Sequence, residues 1–249
     1  MPLDDVAARG FQAAAAAYEL ARPGYPDEAV QALVDALGIA VGTRVCDVAA
    51  GTGKLTRLLV DLGASVIAVE PVAEMREQAH AVLPAAEVVD GTAEAIPLPD
   101  ASVDVVTVAQ AFHWFDAPAA FVEIARVLRP GGGLALLWNE RDESHAWVAE
   151  MSRIIRWHER TVSRYQHVDW PKIVAESNLF TPLREAAFPW AHQMNREVLA
   201  DRVRSISYIA VMPLSERERL VAEVTSLVGR LPEPFGLPYR CRLQWCRLR

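Results

Sequence analysis

The chain has 249 residues, 52% of them hydrophobic, and carries a formal net charge of -7. That apolar fraction supports a buried core and excludes a disordered chain, while the acidic balance disfavours a docking surface for nucleic-acid phosphates. The length is sufficient for one large α/β domain.

Three cysteines, Cys46, Cys241 and Cys246, show no metal-ligand spacing, so the sequence predicts no metal site and a reduced, cytoplasmic protein. The alanine run at 13–17 is short and bounded by polar residues, which argues against a signal peptide or a membrane span. We therefore expect no membrane association.

The first 43 residues are predicted to form two lid helices, separated by the turn-forming stretch Arg22–Pro26. From residue 44, short β-branched runs alternate with helical patterns. Strands are predicted at 44–48, 64–69, 87–89, 103–108 and 134–138, with helices at 54–62, 72–82 and 117–128. This alternation predicts parallel βαβ units with right-handed crossovers, in an α/β, doubly wound sheet covered on both faces.

The pattern changes after residue 140, where helices outnumber strands. Helices are predicted at 145–165, 170–177, 196–205 and 216–229, and strands at 182–190 and 237–249. With no repeat and no linker, we expect a single domain over 1–249. It divides into lid helices at 1–43, a ligand-binding core at 44–140, and cap helices with the final strands at 141–249.

The turn Gly51-Thr-Gly53 joins the first strand to a helix, which is the geometry of a nucleotide site. Small residues let the backbone approach a ligand, and a helix N-terminus offers unpaired N–H groups. Asp47 lies at the end of the first strand, and Glu70, 23 residues later, ends the second, where a carboxylate can hold both ribose hydroxyls. Asp90–Glu94 closes the third strand. These groups converge at one sheet edge, although each alone has an ordinary structural explanation.

Two other nucleotide fingerprints do not fit this turn. Thr56 occupies the position of the third glycine in G-x-G-x-x-G, which disfavours a hydride-transfer enzyme. Lys54 is followed by Leu55 and not by serine or threonine, which excludes a P-loop.

The arrangement resembles the class I S-adenosylmethionine-dependent methyltransferases. The resemblance is carried by Asp47–Gly53, Glu70–Met75, Asp90–Asp100 with Ser102–Val106, and Arg126–Gly133. Further residues are similar to the type 11 branch and its trans-aconitate methyltransferase-like members, namely Phe11, Tyr18, Arg22–Pro23, Tyr25–Pro26 and Ala109–Asp116.

The resemblance implies S-adenosylmethionine as cofactor, methyltransferase activity and a mostly parallel, seven-strand Rossmann-like sheet, with an N-terminal helical lid and a helical cap after strand five. Ala49 stands where many members have glycine, and Met75 would cover the adenine. The cofactor-binding residues that it implies are Asp47, Ala49, Ala50, Gly51, Gly53, Glu70, Pro71, Met75, Gly91, Thr92, Ala93 and Gln110.

A sulfonium methyl group is already electrophilic, so the site must mainly position an acceptor and exclude water. His113 is the candidate for orienting the acceptor or acting as general base, with a purely structural hydrogen bond as the alternative. The predicted lid or acceptor-pocket residues are Tyr18, Arg22, Tyr25, Trp114, Trp138 and Asn139.

The resemblance implies a small organic acceptor methylated at oxygen, for instance a carboxylate. A different reaction using the same cofactor, hydride transfer, and a non-enzymatic interaction module are the alternatives. The sequence leaves the acceptor and the oligomeric state open.

Overall fold

The computed structural model describes residues 22–159 and 170–249. Within these ranges the strands are β1 Arg44–Val48, β2 Ser65–Val69, β3 Glu87–Val89, β4 Val103–Ala109, β5 Leu128–Arg141, β6 Arg184–Met194 and β7 Phe235–Arg247. The α-helices are α1 Asp27–Leu37, α2 Lys54–Asp61, α3 Ala73–Val82, α4 Ala117–Val127, α5 Ala146–Ile154, α6 Trp170–Ser177, α7 Arg196–Arg204, α8 Ser207–Ala210 and α9 Leu214–Leu227. Short 3-10 helices cover Phe112–Trp114 and Trp157–Glu159. None of the helices in the described ranges is long and apolar enough to cross a membrane.

The seven strands form one sheet in the order β3-β2-β1-β4-β5-β7-β6. Strands β1 to β5 are parallel, and β7 runs antiparallel to both β5 and β6. The predicted doubly wound, mostly parallel seven-strand sheet is thereby confirmed. Since β1, β2, β3 and β4 run in the same direction, their carboxyl ends meet at one edge.

Both faces of the sheet are covered, which explains why its central strands are apolar on both sides. On one face, α1 and α2 pack through Leu33 and Leu59 against β1, β4 and β5. On the other face, Phe121 and Ile124 of α4 pack against the same strands, together with α6. The site edge therefore rests on central strands, β1, β2 and β4, that are mostly buried.

Local signals account for where several helices begin and end. Helix α1 carries acidic residues in its first turn and ends at Gly38, whose φ of 71° lies in the left-handed region that favours glycine. Helix α7 begins at Asn195, whose side chain accepts a hydrogen bond from the Val198 N–H.

The helical cap is built from two separate parts of the chain. Helix α5 follows β5, and α7, α8 and α9 lie between β6 and β7. They share one apolar cluster with the start of β7, formed by Val148, Met151, Leu199, Val203, Val224, Leu237 and Tyr239 among others. The cap consequently stands beside the carboxyl end of β5.

The predicted helix at 145–165 was wrong in its extent up to residue 159, and positions 160–165 lie outside the described residues. Helix α5 ends at Ile154, and Arg156 adopts a left-handed φ of 51°, which stops helical continuation. The Tyr208 hydroxyl donates a hydrogen bond of 2.8 Å to the Ile155 carbonyl. A residue distant in sequence thus satisfies a carbonyl that would accept an intrahelical hydrogen bond if the helix continued.

Strand β5 is longer than the predicted 134–138, because its pairing with β7 continues to Arg141. At its start, Gly132 and Gly133 allow close packing. A Cβ on Gly133 would lie 2.6 Å from the Leu37 side chain, and one on Gly132 would lie 2.9 Å from the Asp104 carbonyl oxygen. The glycine run in β5 thus serves helix and strand packing.

Candidate active site

The loop after β1 is shaped by three residues with positive φ. Ala49, Gly51 and Gly53 have φ values of 54°, 60° and 83°. Alanine at such a position costs about 1 kcal/mol relative to glycine. A Cβ on Gly51 would meet no protein atom within 4 Å, whereas one on Gly53 would lie 2.2 Å from Leu83. Gly51 therefore borders open space, whereas a Cβ on Gly53 would displace the Leu83 side chain at the end of α3.

Glu70 lies directly against this loop. It is 5% exposed, and its Oε2 accepts a hydrogen bond of 2.8 Å from the Gly51 N–H, while Oε1 accepts one of 3.0 Å from the Val72 N–H. Burial raises the pKa of Glu70, and these two backbone hydrogen bonds act in the opposite direction. Each carboxylate oxygen retains acceptor capacity for a ligand hydroxyl.

Arg76 of α3 connects the second and third strand ends. Its Nη1 donates hydrogen bonds of 2.9 Å to both the Glu70 carbonyl and the Asp90 carboxylate. Gly91 follows, and a Cβ there would lie 2.6 Å from Pro97 and 2.9 Å from Val69. Arg76 therefore holds together the loops after β2 and β3, which the sequence analysis assigned to the ribose and the adenine. No local sequence motif identifies Arg76.

Asp47 lies beneath the loop and is 1% exposed. Its two carboxylate oxygens accept hydrogen bonds from the Thr56 hydroxyl at 2.6 Å and from the Thr107 hydroxyl at 2.7 Å. Thr56, the residue that replaces the third glycine of the hydride-transfer fingerprint, is thus an anchor for the β1 carboxylate.

The buried Asp47 carboxyl gives a pH-dependent prediction. Burial raises its pKa from 3.8 to about 6, against the lowering effect of the threonine hydrogen bonds. A pKa that is higher in the folded state stabilises the protein fully below pH ~4, and this contribution is lost as the pH rises through about 6. Relative to Asp47→Asn, the wild type should therefore lose about 2.4 kcal/mol of unfolding free energy between pH ~4 and ~7.

Urea denaturation of both proteins at several pH values measures this difference. Asp61→Asn, at an exposed position at the end of α2, is the matched control and should show no such trend. A constant difference between wild type and Asp47→Asn would contradict the prediction.

The structure brings eight of the predicted residues to the wall of one pocket at the carboxyl edge. They are Arg22, Tyr25, Asp47, Ala49, Ala50, Gly51, Gln110 and Asn139. Gln110 directly follows β4 and has a left-handed φ of 61°, which is uncommon for a residue other than glycine. Thr52, Lys54 and Arg202 also line the pocket and were not among the predicted residues.

Asn139 ties the pocket to its surroundings. Its Nδ2 donates a hydrogen bond of 2.7 Å to the Gly24 carbonyl, and its Oδ1 accepts one of 3.0 Å from the Trp190 indole. The segment before α1 is thereby held over the carboxyl ends of β5 and β6.

The other predicted residues lie elsewhere. Glu70, Pro71, Gly91 and Thr92 are at the adjoining strand ends, while Met75 and Ala93 are buried at 3% and 2% exposure. Tyr18 lies outside the described residues.

The aromatic residues after β4 form a cluster of their own. The His113 ring lies 4.5 Å from that of Trp114 and 5.5 Å from that of Trp138, centroid to centroid. Burial lowers the pKa of His113 to about 4, so the imidazole is neutral at pH 7. Its buried Nδ1 has no hydrogen-bond partner among the described residues, and none of these three side chains lines the pocket.

Comparison with known proteins identifies the class that this fold and site define. Residues 46–136 match the family model of a methyltransferase domain. An uncharacterised methyltransferase of Mycobacterium tuberculosis is 41% identical over 234 residues, which covers 92% of this chain and 91% of the relative. An uncharacterised methyltransferase of Schizosaccharomyces pombe is 35% identical over 228 residues, covering 90% and 89%.

Solved structures show the same fold. A candidate methyltransferase from an antibiotic biosynthesis pathway of Anabaena variabilis has a TM-score of 0.65 at 23% identity, covering 88% of this chain and 97% of that one. A phosphoethanolamine N-methyltransferase of Haemonchus contortus in complex with S-adenosylhomocysteine has a TM-score of 0.62 at 16% identity, covering 100% and 60%.

The chain belongs to the S-adenosylmethionine-dependent methyltransferases. The cofactor of this family is S-adenosylmethionine. The residues in place fit that group, because Gly51 borders open space and Glu70 offers a carboxylate at the second strand end. Sequence reasoning therefore identified both the class and the cofactor.

Proposed function

We propose that this chain transfers a methyl group from S-adenosylmethionine to an oxygen atom of a small organic acceptor. The observation that carries the proposal is the position of the pocket. The pocket is lined by the loop around Gly51, which Glu70 contacts, and by Arg202 of the cap helix α7. A cofactor bound at this loop would therefore face the polar side chains that line the rest of the pocket. This part of the pocket is the proposed acceptor chamber.

The proposed cofactor-binding residues are grouped by the strand that they follow. Glu70 would hold the ribose hydroxyls, with Pro71 beside it and Met75 beneath, while Gly91, Thr92 and Ala93 would border the adenine. Asp47, Ala49, Ala50, Gly51 and Gly53 would shape the loop around the methionine portion, with Gln110 facing it across the edge. When bound, S-adenosylmethionine supplies an electrophilic methyl group, which an acceptor oxygen takes with a lone pair while the S–CH3 electrons stay on sulfur.

The lid and the aromatic cluster would exclude water from this chamber. Arg22 and Tyr25 line it, and Tyr18 is assigned to the same lid from the sequence alone. Trp114 and Trp138 pack around His113. Water exclusion strengthens the polar interactions inside the site.

His113 does not line the pocket, so its proposed hydrogen bond to the acceptor requires the bound acceptor to extend past the lining residues to the aromatic cluster. A pKa near 4 makes this imidazole a weak base, and a carboxylate acceptor is already ionised at neutral pH, so transfer to it requires no proton acceptor. We expect His113→Ala to lower kcat about tenfold or more, the usual order for loss of one positioning group, while the Kd for S-adenosylhomocysteine changes less than about twofold. The measurements are single-turnover kinetics and calorimetry.

His80→Ala, at an exposed position on α3, is the matched control. Equal turnover in wild type and His113→Ala would assign His113 a structural role only.

The reaction itself is tested with methyl-labelled S-adenosylmethionine and a small-metabolite extract. We expect label in an acid-soluble product that alkali releases as methanol, as a methyl ester would. Stable bound cofactor without any S-adenosylhomocysteine formation would overturn methyl transfer, and an alkali-stable product would overturn a carboxylate acceptor.

The remaining parts of the proposal concern the whole chain. We assign residues 1–249 to a single domain, with a lid at 1–43, a cofactor-binding core at 44–140 and a cap with the final strands at 141–249. The three cysteines are buried and free, which suits a reduced cytoplasmic protein. The proposed partner is a small molecule and not a nucleic acid or a membrane.

A further inference from the structure

Arg202 is a buried cation on the cap side of the pocket. It lies in the last turn of α7, is 7% exposed and lines the same pocket as the β1 loop. Its Nε donates a weak hydrogen bond of 3.4 Å to the Tyr239 hydroxyl, and its buried Nη1 has no partner among the described residues. A guanidinium removed from water is costly unless an anion compensates it.

The surroundings of Arg202 add positive charge. Arg22 also lines the pocket, and its Nη2 donates a hydrogen bond of 2.9 Å to the Ser205 carbonyl at the end of α7. Lys54 of α2 lines the pocket as well. Burial lowers the pKa of His192 to about 4, and the charges of Arg202 and Lys54 act in the same direction.

Within residues 22–159 and 170–249, no carboxylate forms an ion pair with Arg202. Among the described residues that line the pocket, Asp47 is the acidic one. Both of its carboxylate oxygens accept hydrogen bonds from threonine hydroxyls. Arg204, two residues along the same helix, is paired instead with Asp201 and Glu218 at the outer surface. Helix α7 therefore carries two arginines with carboxylate partners, because Arg196 pairs with Glu233, and one arginine, Arg202, without such a partner among the described residues.

We propose that Arg202 binds a carboxylate of the acceptor. This inference rests on the proposed methyl transfer and names the substrate class, a small organic acid. The alternative anion in such a pocket is the methionine carboxylate of the cofactor. We assign Arg202 to the acceptor because it belongs to the cap helix α7 and hydrogen-bonds Tyr239 of β7, whereas the residues assigned to the cofactor follow β1, β2, β3 and β4.

The experiment compares wild type with Arg202→Gln, Arg202→Lys and the control Arg204→Gln. The probes are S-adenosylhomocysteine, 5′-methylthioadenosine, which lacks the amino-acid carboxylate, and a panel of small mono-, di- and tricarboxylates with their uncharged amides. Calorimetry gives the affinity of each acid for the complex with S-adenosylhomocysteine, and thermal unfolding reports the stability of the free protein.

We expect at least one acid to bind to the wild-type complex and its amide not to bind. Arg202→Gln should weaken the binding of that acid at least about tenfold, since a charge-assisted hydrogen bond contributes about 1.5–3 kcal/mol. Arg202→Lys should bind the acid more tightly than Arg202→Gln does. The Kd for S-adenosylhomocysteine should change less than about twofold in Arg202→Gln. The free variant should unfold at the wild-type Tm or above, because an uncompensated buried charge has been removed.

Three results would overturn the assignment. The first is that no acid binds to the wild-type complex. The second is that the preference for S-adenosylhomocysteine over 5′-methylthioadenosine is lost in Arg202→Gln, which would give Arg202 to the cofactor. The third is that acid affinity is unchanged in Arg202→Gln, which would leave Arg202 a structural role. Failure of the wild type to bind S-adenosylhomocysteine at all would instead contradict the proposed function itself.

Discussion

Gly51→Val is expected to weaken S-adenosylhomocysteine binding at least about 100-fold, which corresponds to about 2.7 kcal/mol. A Cβ at this position meets no protein atom within 4 Å, so the valine side chain occupies the space that the ligand needs. Its backbone φ of 60° also disfavours a β-branched residue, which adds strain to the loop. Calorimetric titration with S-adenosylhomocysteine measures the effect.

Gly38→Val is the control that measures the effect of backbone strain without a change in the pocket. Gly38 caps α1 with a φ of 71°, and a Cβ there also meets nothing within 4 Å, but the residue does not line the pocket. Both variants should lose stability by comparable amounts, while only Gly51→Val loses ligand affinity. Normal binding by a folded Gly51→Val would remove the β1 loop from the cofactor site.

Glu70→Ala is the second substitution with a large expected effect. The carboxylate would accept hydrogen bonds from both ribose hydroxyls, and hydrogen bonds to a charged group contribute about 1.5–3 kcal/mol each. Removing it also leaves the Gly51 and Val72 N–H groups without their acceptor. We expect the Kd for S-adenosylhomocysteine to rise about 100-fold.

The ribose assignment is tested by a double-mutant cycle with the 2′-deoxy analogue of S-adenosylhomocysteine. The wild type should bind the analogue about tenfold more weakly than the parent compound, and Glu70→Ala should bind both alike. Glu74→Ala, at an exposed position in the first turn of α3, is the matched control. An unchanged preference for the 2′-hydroxyl in Glu70→Ala would assign the ribose to another residue.

The core of the fold could be predicted because its signals are local. Apolar residues fill β1, β2 and β4, and the turn at Gly51 marks where the first strand ends. The spacing to Glu70 then placed a carboxylate at the next strand end, and the structure has it 2.8 Å from the Gly51 N–H. The class of the protein follows from these features together.

The residues that sequence reasoning missed act over long distances along the chain. Thr107 lies 60 positions from its partner Asp47, and Thr56 was interpreted only as a missing glycine. Arg202 belongs to an ordinary surface-type helix pattern, and only the packing of α7 beside β7 places its guanidinium in the pocket. No local motif signals such contacts.

Two predicted features of the acceptor side depend on packing in the same way. The helix at 145–165 stops early because Tyr208 caps the Ile155 carbonyl from another element. His113 was proposed as a catalytic group from its aromatic neighbourhood, and its low pKa now favours positioning of the acceptor over proton transfer. That role, like the narrower resemblance to trans-aconitate methyltransferases, stays a prediction.

A crystal structure with S-adenosylhomocysteine tests the central claim most directly, because it locates both ends of the cofactor at once. We predict ribose hydroxyls within hydrogen-bond distance of the Glu70 carboxylate, the methionine portion between the Gly51 loop and Gln110, and the sulfur facing the chamber below Arg202. A ribose bound away from Glu70, or a sulfur turned away from that chamber, would contradict the account.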